Sequence, residues 1–263
     1  VHHLMAGYGG GRKSIVPGIA GRKTIKMNHI RALDVNEPKS DERVGSGKFT
    51  NNPINIDMLE AGRMVNPVFG INICVNSASK HSGLFSGDFE KAWKESCMYI
   101  QKSYGLPIEK EYDVVFVSCG GFPKDLNFYQ SSKSLFNGIR AMKDGGTIVL
   151  LAQCGEGSGA KDFFDWIDPL KRGCRDESLR KDFTIGGYIF YAACEAIRRG
   201  NVLLLSELEP EEIKDMAVIS YNSLEELMRH VDVENKEICV IPYGGSVLPQ
   251  LHETYDELIK DIK

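Results

Sequence analysis

The chain has 263 residues, a hydrophobic content of 42% and a formal net charge of −4, so it can bury a sizeable core in one large domain or two modest ones. The acidic balance and the lack of a long Lys/Arg run indicate no nucleic-acid partner. No apolar run approaches the ~18 residues that span a bilayer and no signal peptide is visible, which predicts no membrane partner and a cytoplasmic location.

The chain opens with a basic glycine loop, Gly7–Ser14, which has the sequence Gly-Tyr-Gly-Gly-Gly-Arg-Lys-Ser. Glycines adopt positive φ easily, so successive N–H groups can converge on an anion. Arg12, Lys13 and Ser14 add charge and donors that suit phosphate oxygens. The loop predicts a site for a phosphate-bearing ligand, with a flexible surface turn as the alternative.

The order of residues differs from the usual phosphate loop, which has two glycines around four residues and follows a strand. His3 lies ten residues before Lys13, and His29 lies sixteen residues after it. A lone histidine is usually structural, whereas two histidines around a basic glycine loop indicate a functional site.

Between the loop and residue 104 the pattern predicts helices and one strand. Asn52 followed by Pro53 is a good helix start, because it combines an N-cap residue with proline at the first helical position. The polar stretch 34–50 is predicted as loop, and His81 is interpreted as a loop histidine. The predicted helices are Lys23–Leu33, Pro53–Val65 and Phe89–Tyr104, the strand is Phe69–Val75, and Trp93 and Met98 are expected in the core.

Two continuous apolar runs follow, Tyr112–Cys119 and Gly145–Ala152, typical of strands buried on both faces of a parallel sheet. Loops after the carboxyl ends of such strands commonly bind ligands. We therefore expect the loop Pro123–Phe128 to line a binding crevice, and residues 153–155 to contact a cofactor.

The next predicted helix, Tyr129–Met142, carries Gln130 and Lys133 about one turn apart near its amino end. An anionic carboxylate would be stabilised by this lysine and by the positive helix end. A solvated helical face is the alternative interpretation of the pair.

Strands and helices continue to alternate to the end of the chain, which predicts an α/β fold with a mainly parallel sheet and helices on both faces. The remaining predicted helices are Phe163–Leu170, Asp176–Lys181, Gly187–Arg199, a short one after Glu209, Ser223–His230 and a C-terminal one ending at Lys263. The remaining predicted strands are Val202–Ser206, Ala217–Ile219 and Glu237–Pro242.

The seven cysteines are scattered and never form a C-x-x-C pair, which argues against a disulfide framework and a zinc site. Cys74, Cys119 and Cys239 lie in apolar runs and are predicted to be small buried hydrophobes. Cys154 directly follows a predicted strand, and this position makes it the cysteine with the best case for a functional role.

The segment His3–Gly18, followed by Asn28 and His29, resembles the signature of the nickel-dependent lactate racemase family. Asn52–Glu60 and Lys124–Lys133 resemble two further family segments in the same order, so the likeness covers most of the chain. It implies a racemase or epimerase of a lactate-like 2-hydroxy acid that works by hydride transfer. Gly9 replaces a serine that is frequent in the family, which leaves the identity of the hydroxy acid open.

The resemblance also implies a cofactor and residue roles. The cofactor is a nickel pincer, a pyridinium mononucleotide with thioamide and thiocarboxylate arms, bound covalently to Lys13. His29 is implied as the nickel ligand and His3 as one of two catalytic histidines, while Gln130 and Lys133 are implied at the substrate. The expected cofactor-binding residues are Lys13, Gly10, Gly11, Arg12, Ser14 and Tyr129.

In the family an N-terminal domain supplies the second catalytic histidine and an arginine for the substrate carboxylate, and neither is identifiable here. We therefore expect a C-terminal part that is inactive alone, with a cofactor-binding loop segment at 1–50 and an α/β domain at 51–263. The implied partners are the 2-hydroxy acid, the missing N-terminal domain and cofactor-assembly enzymes.

Two other functions fit the same loop. A non-catalytic nucleotide- or phosphate-binding module would leave the histidines structural, and metal analysis would distinguish it from a nickel enzyme. A Schiff-base role for Lys13 with pyridoxal would need an Asp or Arg that pairs with the pyridinium, which the sequence does not identify.

Overall fold

The computed structural model describes residues 2–76, 80–157, 159 and 161–263. The strands are β1 His2–His3, β2 Gly7–Tyr8, β3 Gly70–Val75, β4 His81–Gly87, β5 Gly105–Ile108, β6 Tyr112–Ser118, β7 Met142–Leu151, β8 Asn201–Leu205, β9 Val218–Tyr221, β10 Ile238–Ile241 and β11 Leu248–Leu251. The α-helices are α1 Arg22–His29, α2 Pro53–Val65, α3 Phe89–Tyr104, α4 Phe128–Gly138, α5 Lys161–Phe164, α6 Ile167–Lys171, α7 Arg175–Lys181, α8 Ile185–Ile197, α9 Pro210–Ile213, α10 Leu224–His230 and α11 His252–Ile262. Short 3₁₀ helices lie at Gly11–Ser14, Ile30–Ala32, Ile139–Ala141 and Lys214–Met216.

The chain divides into two compact units, one of residues 1–106 with 252–263 and one of residues 107–251. We expected a boundary at residue 50, and the structure divides the chain differently. The reason is that α11 returns to the first unit, where the Asp261 carboxylate accepts hydrogen bonds from the N–H groups of Phe49 (3.2 Å) and Thr50 (2.9 Å). The loop segment, α2, α3 and α11 therefore belong to one unit.

The second unit contains a five-stranded parallel sheet in the order β10-β6-β7-β8-β9. The crossovers from β6 to β7, β8 and β9 each add a strand on the same side of the preceding one. The last crossover, from β9 to β10, returns to the opposite edge of the sheet, beside β6. Because parallel crossovers are right-handed, this return places α10 on the face opposite α4 and α8. The predicted α/β fold with a mainly parallel sheet is confirmed.

Alternate side chains of the central strands enter two separate cores, so both faces are covered, as their apolar runs predicted. Beneath α4 and α8 lie Val115, Val117, Ile148, Leu150, Val202 and Leu204. Beneath α10 lie Val114, Val149 and Leu203, packed with Leu227 and Val231.

In the first unit β3 and β4 form an antiparallel hairpin that packs on α3. The interpretation of His81 as a loop histidine is wrong, because it is the first residue of β4. The segment His81–Gly87 has two glycines and two serines and lacks a strand-like apolar alternation. Its extended form comes from pairing with β3, which the local sequence does not reveal.

The predicted helix Tyr129–Met142 also ends early. Helix α4 stops at Gly138, and Met142 already begins β7. Gly138 lies so close to β6 that a Cβ there would be 2.9 Å from a Val117 methyl group. Helix α4 therefore crosses the sheet at close range before the chain turns into β7.

Cys74, Cys119 and Cys154 are buried, whereas Cys239 is only partly buried, in contrast to its prediction. Burial raises the pKa of the Cys154 thiol, which contacts the Ser131 hydroxyl at 3.6 Å. Such a thiol is poorly reactive at neutral pH. No helix in the described ranges combines the length and apolar character that a bilayer crossing requires.

Candidate functional site

The glycine loop packs tightly against α3 and β3. Gly10 and Gly11 have φ values of 71° and 48°, in the positive range that the sequence predicted these glycines can adopt. A Cβ on Gly11 would lie 2.5 Å from the Trp93 ring, so only glycine fits there. The Gly11 N–H donates to Asn72 Oδ1 of β3 (2.8 Å), so this loop donor is already bonded to the protein.

The Arg12 side chain points into the protein and is fully buried. Its guanidinium donates to the carbonyls of Ala6 (2.6 Å) and Tyr8 (2.8 Å) and to Asn55 Oδ1 (2.7 Å), and it lies 4.0 Å from the centre of the Trp93 ring. Burial lowers the pKa of Arg12 to about 10. The expected contact between Arg12 and a cofactor phosphate does not fit this geometry, because its donors already bind two main-chain carbonyls and the Asn55 amide oxygen.

Lys13 and Ser14 lie on the same 3₁₀ helix as Arg12 and are more exposed than it. Lys13 is half-buried and Ser14 is exposed. The Lys13 N–H donates to the Gly10 carbonyl (3.0 Å), and the Lys13 carbonyl accepts from the Gly18 N–H (3.0 Å). The main chain of Lys13 is therefore held on both sides.

His29 is the last residue of α1 and is buried. Its Nδ1 hydrogen-bonds the Ile25 carbonyl at 3.0 Å, so Nδ1 carries the proton and Nε2 holds the lone pair. Burial lowers the pKa of the imidazole, the bond to Ile25 opposes this shift, and the charge of nearby Lys13 adds to it. A neutral ring oriented by a carbonyl is the arrangement that metal-binding histidines adopt.

His3 is half-buried, and its Nδ1 accepts hydrogen bonds from the N–H groups of Met5 (3.2 Å) and Ala6 (3.1 Å). These bonds assign the proton of the neutral ring to Nε2. The two neutral histidines therefore carry their protons on different nitrogens. The His3 Nδ1 meets two N–H donors and stays unprotonated, whereas the His29 Nδ1 meets a carbonyl acceptor and carries the proton.

In the second unit, Tyr129, Gln130 and Lys133 occupy the first turns of α4, with Asn127 as the N-cap. Asn127 Oδ1 accepts from the Gln130 N–H (3.0 Å), and Lys133 Nζ donates to Gln130 Oε1 (2.6 Å), so the predicted pairing across one turn is present. Lys133 reaches the surface, yet the protein around its stem lowers its pKa by desolvation. Burial raises the pKa of Tyr129.

The predicted site residues therefore form two groups. His3, Gly10, Gly11, Arg12, Lys13, Ser14 and His29 belong to the first unit, and Tyr129, Gln130 and Lys133 belong to the second. In the second unit Lys133 is hydrogen-bonded to Gln130, and in the first unit His3 and Arg12 bond the N–H and the carbonyl of the same residue, Ala6.

The second unit also has a cavity of about 450 Å³ at the carboxyl ends of its strands, the place where the sequence predicted a crevice. Its wall includes Asp125 and Glu207, and Gln153 Nε2 donates to Glu207 Oε1 (3.0 Å). Two carboxylates disfavour a phosphate or a hydroxy-acid anion. The expected cofactor contact at residues 153–155 therefore lacks electrostatic support.

Several residues that support the loop had no signal in the sequence. Asn55 and Asn72 accept hydrogen bonds from Arg12 and Gly11, and the Trp93 indole N–H donates to the Gly9 carbonyl (2.9 Å). Trp93 was expected in the core and is there, but its contact with the loop was not foreseen. Isolated asparagines are ordinary surface residues, so their burial beside a loop leaves no periodic pattern to detect.

Two family models match the chain: the lactate racemase C-terminal domain over residues 108–248 and the lactate racemase N-terminal domain over residues 1–41. The chain belongs to the lactate racemase family. The first match coincides closely with the second structural unit. The second match corrects the expectation that the N-terminal domain is absent, since a racemase N-terminal portion is present at residues 1–41.

Individual lactate racemases are similar over nearly the whole chain. The enzyme from Thermoanaerobacterium thermosaccharolyticum is 34% identical over 94% of this chain and 58% of the relative, and that from Lactiplantibacillus plantarum is 30% identical over 94% and 59%. The solved T. thermosaccharolyticum racemase apoprotein superposes with a TM-score of 0.81 at 30% identity, covering 95% of this chain and 60% of that one. A Thermotoga maritima structure shares the fold, with a TM-score of 0.65 at 18% identity over 95% and 64% of the two chains. This chain thus spans less than two thirds of each relative.

Proposed function

We propose that the protein racemises or epimerises a lactate-like 2-hydroxy acid, using a nickel pincer mononucleotide tethered to Lys13. Membership of the lactate racemase family supports racemase chemistry. The observation that carries the proposal is the setting of His29, a buried imidazole whose Nδ1 donates to the Ile25 carbonyl, so that the Nε2 lone pair could bind a metal.

The donor set of the first unit fits such a cofactor. His29 offers one imidazole nitrogen, which suits nickel. In the described ranges no group of three or more His, Cys, Asp or Glu side chains could hold a metal by itself. A metal at His29 would therefore take its other donors from an organic ligand, and the sulfur arms of a pincer are suitable donors. Lys13 is the proposed attachment residue for that ligand.

When bound, the cofactor would accept hydride from the substrate Cα and return it to the opposite face. The protein must bind the substrate carboxylate and move the hydroxyl proton. Lys133 and Gln130 suit the first task, because Lys133 supplies positive charge while the Gln130 amide, whose oxygen is bonded to Lys133, keeps its NH₂ group as a donor. The N-terminus of α4 adds favourable potential for an anion.

His3 is the proposed acceptor of the hydroxyl proton. Its Nδ1 accepts two main-chain bonds, which assigns the proton of the neutral ring to Nε2. Uptake of a proton at Nε2 requires the other tautomer, in which Nδ1 is protonated and those two bonds are lost. Proton transfer at His3 is thus coupled to the conformation of the turn formed by residues 3–6.

The decisive test is the intact mass and nickel content of the protein after co-expression with the cofactor-assembly enzymes. We expect a covalent adduct and nickel in the wild type and in Lys23→Ala, a matched control at an exposed lysine, and neither in Lys13→Ala. Lys13→Ala should remain folded, because a half-buried lysine contributes little packing.

An adduct retained by Lys13→Ala would contradict the tether. The same preparations test the metal ligand, since His29→Ala should lose more nickel than His3→Ala. Equal nickel loss in both variants would remove the distinction between ligand and base.

A further inference from the structure

The main chain of Ala6 links two residues of the proposed site. Its N–H donates to His3 Nδ1 (3.1 Å), and its carbonyl accepts from Arg12 Nη2 (2.6 Å). Arg12 is followed directly by Lys13. The Arg12 guanidinium is therefore bonded to Ala6, whose N–H orients the His3 ring, while the main chain of Arg12 is linked directly to Lys13.

The surroundings of Arg12 are unusual for a buried charge. Its described acceptors are neutral: the carbonyls of Ala6, Tyr8, Gly9 and Gly10 and the amide oxygen of Asn55. Burying a charge without an opposite charge is unfavourable unless hydrogen bonds replace its water shell. Packing alone would be served better by an apolar side chain of similar volume.

A guanidinium differs from an apolar side chain in that its N–H donors point in fixed directions. Its donors lie in one rigid plane, so each bonded oxygen has a defined position relative to the others. Here that plane is stacked on Trp93 and fixes the carbonyls of the loop that joins His3 to Lys13. Charge-assisted bonds of this kind are also stronger than neutral ones.

We propose that Arg12 is a positioning residue that sets the His3 ring and the Lys13 main chain without touching the ligand. Its importance for catalysis rests on the proposed function. The geometric claim does not, because it can be measured on the cofactor-free protein.

The test compares Arg12→Lys, which keeps the charge but loses the planar fork, with Arg63→Lys, a control at an exposed arginine paired with Glu90. Ile262→Ala serves as a destabilised reference, since it removes buried volume from the core of the same unit outside the hydrogen bonds of Arg12. The readouts are the His3 tautomer, from ¹⁵N–¹H correlation spectra of the imidazole, and the rate at which acetic anhydride labels Lys13 relative to Lys23, from peptide mass spectrometry.

In the wild type and Arg63→Lys we expect the Nε2–H tautomer of His3 and one common Lys13/Lys23 labelling ratio. In Arg12→Lys the tautomer ratio and the labelling ratio should each change about fivefold, the effect of roughly one hydrogen bond. Ile262→Ala, studied below its melting temperature, should match the wild type in both readouts despite its lower stability.

Wild-type values in Arg12→Lys would overturn the proposal, as would equal changes in Ile262→Ala, which would reduce the role of Arg12 to general stability. Failure of the proposed function would look different. In that case the wild type would take up no cofactor at Lys13, while the tautomer and labelling results would still decide the role of Arg12.

Discussion

The sheet of the second unit and the glycine loop of the first unit are stabilised by different interactions. In the second unit, the central strands β6, β7 and β8 bury alternating apolar side chains on both faces. Around the glycine loop of the first unit, buried polar side chains instead donate to main-chain carbonyls: Arg12 to Ala6, Asn28 to Ile54, Asn52 to Met5 and Asn55 to Phe49. The comparison shows that a sheet is stabilised by side-chain volume, whereas this loop is stabilised by donors aimed at specific oxygens.

The largest effect is expected from removing volume in the sheet. Leu150 is fully buried in β7, between Val117 of β6 and Leu204 of β8. Leu150→Ala should lower the free energy of unfolding by about 2–5 kcal/mol, because it loses apolar burial and leaves a cavity. Urea unfolding followed by circular dichroism measures this loss.

Val240→Ala is the matched control, since Val240 lies on the same sheet but is 67% exposed. Its effect should stay within about 0.5 kcal/mol. If both variants lost the same free energy, side-chain volume would not be what stabilises the sheet.

A smaller but still large effect is expected from removing a donor beside the loop. Asn52 Oδ1 caps α2 by accepting from the N–H groups of Ile54 and Asn55, and its Nδ2 donates to the Met5 carbonyl (2.8 Å). Asn52→Ala should lower the free energy of unfolding by about 1–3 kcal/mol, because it removes a cap and leaves a buried carbonyl unpaired. Exposed Asn51→Ala is the control, and a loss in Asn52→Ala no greater than that of the control would contradict the polar account of this unit.

The smallest effect is expected at the edge of the sheet, where polar side chains also contribute to stability. Asp113 Oδ2 accepts from the Glu237 N–H (2.9 Å) and Oδ1 from Lys143 (2.9 Å). The Glu237 N–H first, and the Lys143 ammonium second, hold the pKa of Asp113 below its ordinary value. A carboxyl group with a lowered pKa in the folded state stabilises the fold at pH values above its unfolded pKa of about 3.9. This contribution to stability is lost as the pH falls through the folded pKa.

Wild-type stability should therefore decline between about pH 5 and pH 3 more steeply than that of Asp113→Asn, as measured by urea midpoints. Asp165→Asn, at an exposed carboxylate of the same unit, should follow the wild type. Parallel pH profiles for wild type and Asp113→Asn would show that this strand-edge contact contributes nothing to the acid response.

The strands of the second unit were predictable because their signal is repeated along the chain. Tyr112–Cys119 and Gly145–Ala152 are uninterrupted apolar runs, and an apolar run has few alternatives to burial. The start of α2 was predictable for a different reason, since Asn52 and Pro53 satisfy local requirements of a helix end. Both kinds of inference need no knowledge of distant residues.

The role of Arg12 was not predictable in the same way. A guanidinium donates equally well to a phosphate oxygen and to a peptide carbonyl, so the residue type does not reveal which acceptor it meets. The choice depends on whether the side chain turns inward, and here Trp93 and Asn55, far along the chain, provide the inward site. For His29, by contrast, the partner of Nδ1 is the carbonyl four residues earlier in its own helix, which its place in a predicted helix makes available.

The hydrogen bonds from Phe49 and Thr50 to Asp261 join positions more than two hundred residues apart. All of the second unit lies between these partners, so that unit is contiguous in the chain while the first is not. During synthesis the sheet can form before α11 exists, whereas the unit that carries Lys13 and His29 acquires its last helix only afterwards. Closing so long a loop is slow in comparison with local pairing. The unit that carries Lys13 and His29 is therefore expected to complete its folding late, after the unit that carries Gln130 and Lys133.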